Sequence, residues 1–364
     1  VALCEHSVIG AGASGRNGGF CSSGWAAGLD QITRLVGPLV SKELELIGAD
    51  GFKWMRDRAF SSKYTKAQPI SGIISLGLKG QISEASERLD EVELKKFVDG
   101  PRYKWGKIDN EAFHFHPLNF LKTFLQEAIS HGVKVFENTG EVQLNGSEIY
   151  FSNGNRISCD RMIWATGGYS IKKNSTLKKY LLPIQTFICV TSPMPEILET
   201  YIPTRMALGD DRRAGNYFRR LPDGRLLWGM GVSALNQQSV ESIKQMGWKN
   251  IKAHFPNMIA EMKQNNIKFD YAWSGLMAYA SHFMPYVGKL NERESILSGF
   301  GGHGMNTAPI AGKRMALFLN GDKNMLDPFL EIPRRNVFGL IGRLGAEFEY
   351  RRLRVIDYIA EALG

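Results

Sequence analysis

Ser7-Val8-Ile9-Gly10-Ala11-Gly12-Ala13-Ser14-Gly15-Arg16-Asn17-Gly18-Gly19-Phe20 is the stretch on which the reading of this chain turns. Gly10, Gly12 and Gly15 spell G-x-G-x-x-G. In a dinucleotide fold that motif follows a buried strand, opens a helix and precedes an acidic residue by about 20 positions. Here Glu5-His6-Ser7-Val8-Ile9 is too polar and too short for a central strand, and Arg16-Asn17-Gly18-Gly19 opens no helix. The fingerprint fails on its context. A second reading fits better: Val1-Ala2-Leu3-Cys4-Glu5 is the end of a second Rossmann strand, with Glu5 accepting from the two hydroxyls of a ribose. The first strand, phosphate turn and helix are then expected upstream of Val1, so the chain reads as N-terminally truncated.

Composition narrows the function classes. With 43% hydrophobic and 22% charged residues, the 364-residue chain is ordinary globular material, longer than one core usually occupies, so two domains are expected. No run of 18 apolar residues exists, and no membrane span is expected. Cys4, Cys21, Cys159 and Cys189 lack metal-like spacing and read as reduced thiols of a cytoplasmic protein. The net charge of +9 is scattered in short runs such as Lys178-Lys179, which suits a solvated surface. A field drawing in an anionic cofactor or acidic substrate is the second reading of that charge. No nucleic-acid module accompanies it, so nucleic acid is not an expected partner.

Along the chain, Ala26 to Tyr64 has helical spacing with a break near Gly48–Gly51, and Gly72 to Leu78 reads as a strand. Glu84 to Val98 reads as a charged helix. Pro117 starts a helix that His131-Gly132 ends. Strands follow at Val133–Phe136, Val142–Leu144, Ile149–Phe151 and Ile157, with a hairpin turn at Asn145-Gly146. Arg161-Met162-Ile163-Trp164-Ala165-Thr166-Gly167-Gly168 is an apolar strand running into a glycine turn. From residue 171 the pattern changes to strands at Thr186–Thr191, Tyr217–Leu221, Arg225–Gly229 and Phe269–Gly275, with Ser239 to Met262 helical between the last two. Ile296 to Phe300 is a strand, Pro309 to Leu319 a helix, and Val355 to Leu363 a C-terminal helix.

Three ordered segments carry a family resemblance: Ala11 to Gly19, His114-Phe115-His116-Pro117-Leu118-Asn119, and Ser298-Gly299-Phe300-Gly301-Gly302-His303-Gly304-Met305-Asn306-Thr307-Ala308-Pro309. Together they resemble the FAD-dependent D-amino-acid oxidase-like (DAO) superfamily, in particular its γ-glutamylputrescine oxidase-like members, over roughly residues 1 to 320. The resemblance implies an α/β fold: a Rossmann-like FAD-binding domain lacking its first βα unit, and an antiparallel-sheet substrate domain. The expected division is 1–60, 106–170 and 285–325 for FAD, 61–105 and 171–284 for substrate, and 326–364 as a helical tail. It implies oxidation of a small amine or amino acid. The carbon bearing the nitrogen gives a hydride to flavin, the imine hydrolyses, and oxygen or another acceptor takes the electrons.

Candidate residues follow. Glu5, Ser14, Gly15, Arg16, Asn17, Gly18 and Gly19 are expected on the flavin and its pyrophosphate, Val142 on the adenine through its backbone, and Gly167 beside the cofactor. Gly301-Gly302-His303-Gly304-Met305 leads a strand into a helix. Unpaired N–H groups and a partial positive charge gather there, suited to the ring's pyrimidine end. His303, Trp273 and Tyr217 are the catalytic candidates. His303 is read as touching ring or substrate, with space-filling as the competing reading. For Trp273 and Tyr217, lining a pocket for a flat or cationic substrate competes with burial in the core. His114 and His116 alternate on one face but lack a third ligand, so no metal is expected. Cys21 lies outside the motif, so the flavin is expected to be non-covalent. Two other functions stay open on sequence alone: a non-catalytic fragment unable to hold FAD, and an NAD-binding dehydrogenase using the N-terminal glycines.

Overall fold

The computed structural model describes the chain except at residues 79–87, 146–147, 170, 172–174, 211, 213–214, 236 and 364, and except for the side chains of 175 and 360–363. It opens with β1 (Ala2–Cys4), a single helical turn α1 (Ala13–Arg16) and the short β2 (Phe20–Cys21). The long α2 (Leu29–Ala59) bends at Gly37-Pro38, where Gly37 takes φ 81° and the proline ring removes a helical donor. The break expected at Gly48–Gly51 is not found there. Those glycines are contact points instead: a methyl at Gly48 would press on the Trp25 indole, and one at Gly51 on Ile310 and the Asn306 carbonyl.

β3 (Ile70–Leu78) and β4 (Tyr103–His114) pair antiparallel. Of the charged helix expected from Glu84 to Val98, residues 84–87 lie outside the described residues. The remainder contains only α3 (Glu91–Leu94), one turn held by the Asp90–Glu93 capping box. Leu94 is its one buried residue, too little to hold a longer helix. α4 (Pro117–Ser130) starts on its proline and ends before Gly132 at φ 84°. β5 (Lys134–Phe136) lies parallel to β1. The meander β6 (Val142–Asn145), β7 (Glu148–Phe151) and β8 (Arg156–Ser158) comes next, and its expected first turn at Asn145-Gly146 falls partly outside the described residues. β9 (Met162–Trp164) completes this part.

α5 (Ser175–Tyr180) leads into β10 (Leu182–Thr191), α6 (Pro195–Tyr201), β11 (Ala207–Asp210), β12 (Tyr217–Arg220) and β13 (Leu226–Ser233). Pro256 divides the next helical stretch into α7 (Val240–His254) and α8 (Pro256–Gln264). β14 (Phe269–Tyr279) outruns its expected end at Gly275 because β10 pairs with it from Leu182↔Tyr279 to Thr191↔Phe269. β15 (Tyr286–Lys289) and β16 (Glu294–Ser298) precede α9 (Gly304–Leu319). That helix starts at the glycine turn itself rather than at Pro309, which stands inside it as the sixth residue and, lacking an N–H, leaves the Met305 carbonyl without its helical donor. α10 (Asp327–Leu330) and α11 (Gly339–Leu363) close the chain, the latter a 25-residue helix rather than the short one expected from Val355.

Eight strands form the main sheet in the order β14-β10-β13-β12-β11-β3-β4-β2. One face buries Ile74, Phe218, Trp228 and Met230 against α7 and α8 residues such as Ile251, Met258 and Met262. The opposite face carries Ile188, Val190 and Leu227 under Tyr217 and Trp273. β9 and β16 pair in parallel, as β1 and β5 do. Small sheets containing parallel pairs, beside a large, mostly antiparallel one, make the mixed α/β architecture expected. The division anticipated between residues 105 and 106 falls inside β4, and β2 also joins the large sheet.

Candidate active site

β14 is the spine on which distant loops meet. The Trp273 indole N–H donates to the Arg16 carbonyl at 2.8 Å, and the Arg16 guanidinium donates to the Ser274 carbonyl at 3.3 Å. The Leu276 amide donates to the Tyr169 hydroxyl at 3.2 Å, and the Tyr169 ring lies 3.3 Å from where a Cβ on Gly12 would sit. A Cβ on Gly168 would come within 2.7 Å of the Met277 carbonyl. The Gly301 amide donates to the Ala278 carbonyl at 3.0 Å, and Phe300 bridges to Tyr279. So the N-terminal glycine loop, the turn after β9 and the turn before α9 all contact one strand. Arg16 and Gly301 attach five residues apart, about 16 Å at the usual rise.

The N-terminal loop is held by donors reaching its carbonyls. Asn17 Nδ2 donates to the carbonyls of Ala13 and Ser14, each at 3.0 Å. The Phe115 amide donates to Gly19 O at 2.9 Å. Arg219 Nε donates to Gly18 O at 2.8 Å, while its two terminal nitrogens reach His114 Nδ1 at 3.3 Å and Phe115 O at 3.1 Å. Arg219 is buried, and burial lowers its pKa to about 10, so the guanidinium stays charged at neutral pH. His114 is wholly buried. Desolvation first, and the Arg219 charge second, lower its pKa to about 4. A neutral His114 therefore accepts from Arg219 through Nδ1 and donates through Nε2 to the Arg205 carbonyl, 2.8 Å away. Glycine is obligatory at two of these positions. A methyl on Gly19, at φ 81°, would overlap the Phe115 carbonyl, and one on Gly18 would come within 2.6 Å of the Tyr217 ring.

The second glycine segment is held differently. Gly301 and Gly302 take φ 58° and 86°, conformations natural to glycine, and deliver the chain into α9. His303 is the N-cap residue but makes no side-chain cap, so among the described residues the first-turn amides of this 16-residue helix have no capping side chain. Its ring is exposed by area, yet burial lowers its pKa. Part of the ring meets water while neighbouring protein desolvates the rest, and the ring is neutral at neutral pH. Tyr217 and Tyr279 share that position. Both are half-buried, and desolvation raises both phenols, Tyr217 to about 12. Met277 lies beside this turn, its sulfur 3.3 Å from where a Cβ on Gly302 would lie.

The sequence candidates thus divide into two groups. Arg16, Asn17, Gly18, Gly19, Tyr217, Trp273, Gly301, Gly302 and His303 are linked through β14 and Arg219. Ser14 is exposed on the same loop, a methyl on Gly15 would crowd the Gly10 backbone, and Gly304 and Met305 form the first turn of α9. Gly167, in the turn after β9, accepts from Ser298 Oγ at 3.3 Å. Glu5 and Val142 lie at a second place, at the carboxyl end of β1. Asn138, Thr139 and Gly140 bond back to Ser7, Glu5 and His6, just before Val142. Thr166 Oγ1, in the turn beside Gly167, is buried without a hydrogen-bond partner among the described residues. Cys21 faces the core, its thiol pushed up to about 12 by burial, and His116 caps α4 by accepting from the Asn119 amide. Among the described residues, no three His, Cys, Asp or Glu side chains cluster to hold a metal ion.

Sequence reasoning missed Arg219, Met277, Tyr279 and Thr166. Arg219 had a readable signal: it stands two positions after Tyr217 on one strand, and therefore on the same face.

Comparison with known proteins bears on this arrangement. A family model described as DAO, FAD dependent oxidoreductase, matches residues 1–317. The probable oxidoreductase OrdL of Haemophilus influenzae is 24% identical over 363 residues, covering 93% of this chain and 81% of that protein. The gamma-glutamylputrescine oxidoreductase of Escherichia coli is 24% identical over 351 residues, covering 92% and 81%. Among solved structures, glycine oxidase from Geobacillus kaustophilus superposes with a TM-score of 0.65 at 15% identity, over 92% of each chain. L-Proline dehydrogenase from P. horikoshii gives 0.60 at 17% identity, over 90% of each. The structural likenesses show a shared fold.

Proposed function

The chain belongs to the DAO family of FAD-dependent oxidoreductases, and from that premise we propose that it oxidises the C–N bond of a small amine or amino acid in the cleft walled by Tyr217, Trp273, Met277, Tyr279 and His303. One observation carries the reading: β14 ties both glycine segments to the same wall.

The residues present suit a flavin. Gly301–Met305 offers backbone donors at a helix N-terminus, where electron-rich oxygen is favoured. Gly18 and Gly19 let the Tyr217 ring and the Phe115 carbonyl pack against the first loop, and the buried Thr166 hydroxyl has no hydrogen-bond partner among the described residues. We assign Ser14 to Gly19, Gly167 and Gly301 to Met305 to the ring and its phosphates, Glu5 to the ribose and Val142 to the adenine. FAD, when bound, supplies the acceptor for the hydride leaving the carbon that bears the nitrogen. The protein's part is orientation. His303 stays uncharged at neutral pH, and Tyr217 keeps its proton, so both present hydrogen-bonding groups without a full charge. Trp273 is fixed by its bond to Arg16 and offers a flat face to substrate. The buried, inert Cys21 favours a non-covalent flavin.

The main sheet, formed largely from residues 61–105 and 171–284, is assigned to the substrate and the remainder up to 325 to FAD. The names of the relatives, gamma-glutamylputrescine oxidoreductase and glycine oxidase, support an amine or amino acid as substrate. Oxygen or another acceptor would take up the electrons. Among the described residues no helix is long and apolar enough to cross a membrane, and all four cysteines are free, which suits the cytoplasm. The test is an anaerobic panel of amines and amino acids added to flavin-loaded protein. Bleaching of the oxidised flavin band by a panel member is the expected result. A flavin that no member reduces, or a preference for a nicotinamide cofactor, overturns the proposal.

A further inference from the structure

α11 is amphipathic the wrong way round. The side chains that bond to the rest of the chain are polar, with Ala346 and Leu353 half-buried beside them. Arg343 donates to the Ala234 carbonyl at 2.7 Å and to the Leu235 carbonyl at 3.3 Å. Glu347 accepts from the Ser233 hydroxyl at 3.1 Å and the Ala234 amide at 3.0 Å. Tyr350 is half-buried, and an Arg354 nitrogen lies 3.2 Å from where a Cβ on Gly231 would stand. Residues 343, 347, 350 and 354 fall on one face of a helix. Ile341, Leu344, Phe348, Val355 and Ile359 recur on the opposite face and are between 48% and 74% exposed. A helix whose outer side meets only water has its apolar stripe inward. Here the stripe points out.

We propose that this outer face is the contact of a twofold homodimer, in which α11 packs antiparallel against the same helix of a second copy. Size is the first argument. The five side chains, with Phe338 and Leu340 at the start of the stripe, leave on the order of 800 Å² of apolar surface in solvent, about what each partner contributes to a stable interface. Charge is the second. Arg352 and Glu349 form a two-pronged ion pair, both prongs 2.7 Å, along one edge of the stripe. Antiparallel packing about an axis between residues 350 and 351 sets Arg352 opposite the second copy's Glu349, and the reverse. The edge is self-complementary, as a twofold contact requires. A lipid surface is disfavoured because the helix carries four arginines (343, 351, 352, 354) against four carboxylates (347, 349, 357, 361), leaving no net charge to attract anionic headgroups.

The contact is independent of the flavin reading, yet it bears on the candidate cleft. α11 is pinned at the end of β13 through Ser233 and Ala234, and the Tyr350 phenol is close enough to help raise the pKa of Tyr279 on the cleft wall. Pairing two α11 helices holds that flank in place.

The test is the mass of the full chain in solution, by light scattering after size exclusion and by sedimentation. Twice the monomer mass is expected, with Phe348→Glu raising the dissociation constant at least tenfold while the far-UV circular dichroism is unchanged. Glu349→Arg alone sets arginines against arginines across the axis and weakens the dimer, and the double exchange Glu349→Arg with Arg352→Glu restores it. This pair of surface variants keeps the test valid if Phe348→Glu misfolds. A monomer at every concentration overturns the proposal, as does a dimer indifferent to all these changes. Monomeric protein that sediments with phosphatidylglycerol vesicles, and loses that through Phe348→Glu, also overturns it and gives the face to lipid.

Discussion

The two glycine segments, Gly10–Gly19 and Gly299–Gly304, are each at least half glycine and are built on different physics. In the first, side chains capture the loop's carbonyls: from elsewhere Arg219 takes Gly18 and Trp273 takes Arg16, and from within the loop Asn17 takes Ala13 and Ser14. In the second, backbone torsion does the work, with positive φ at Gly299, Gly301 and Gly302 and a helix starting at once. The first also needs glycine at Gly18 and Gly19, but it is in addition a clamped loop that fails when a clamp is removed. The second is a preset turn that fails when a side chain is added. Glycine content alone does not reveal which mechanism operates.

The sharpest way to break this contrast is to remove the clamp. Arg219→Met strands Gly18 O, Phe115 O and His114 Nδ1 without their donor, and at about 1–3 kcal/mol for each buried orphan the expected loss is about 4 kcal/mol in urea unfolding. A loss below about 1 kcal/mol means the loop is held by something else.

The next test uses pH. His114 has a folded pKa of about 4 against 6.5 unfolded, so between those values the unfolded chain binds the extra proton and stability falls as pH falls. Wild type is expected to lose about 3 kcal/mol from pH 6.5 to pH 4 through this residue. His114→Gln should flatten that part of the stability curve, and an unchanged slope contradicts the assignment.

Gly302→Ala probes the second segment. It places a side chain at φ 86°, at a cost of about 1 kcal/mol in stability, and next to Met277 on the cleft wall. Its main effect should be on flavin affinity, seen by fluorescence titration, in contrast to Arg219→Met.

Trp273→Phe should have the smallest effect on stability. It deletes one partly exposed hydrogen bond to Arg16, about 0.5–1.5 kcal/mol, while keeping an aromatic face. A shift of the flavin spectrum in this variant locates the indole beside the ring.

Much of this was legible in the sequence where local rules act alone. Pro117 and Gly132 bound α4, and the glycine turn before α9 announces itself; Pro256 obeys the same proline rule but divides a stretch expected as one from Ser239 to Met262. What was not legible depends on packing between distant segments. Gly48 and Gly51 look like helix breakers, but they are where Trp25 and α9 come close to α2, and the bend lies at Gly37-Pro38. Arg219 looks like a surface charge in Phe218-Arg219-Arg220 until β4 and the first loop close over it. The alternation on β12 puts Arg219 on the face of Tyr217, so strand register carried the missing information. The tail was misread because its apolar stripe faces outward, and the segment before Val355 offered no inward face to recognise.

The central claim is that both glycine segments grip one flavin, and FAD titration of paired variants tests it most directly. The dissociation constant should rise several-fold both in Trp273→Phe, which loosens the first segment, and in Gly302→Ala, which obstructs the second. A protein whose FAD affinity responds to only one of these changes, or to neither, contradicts the account.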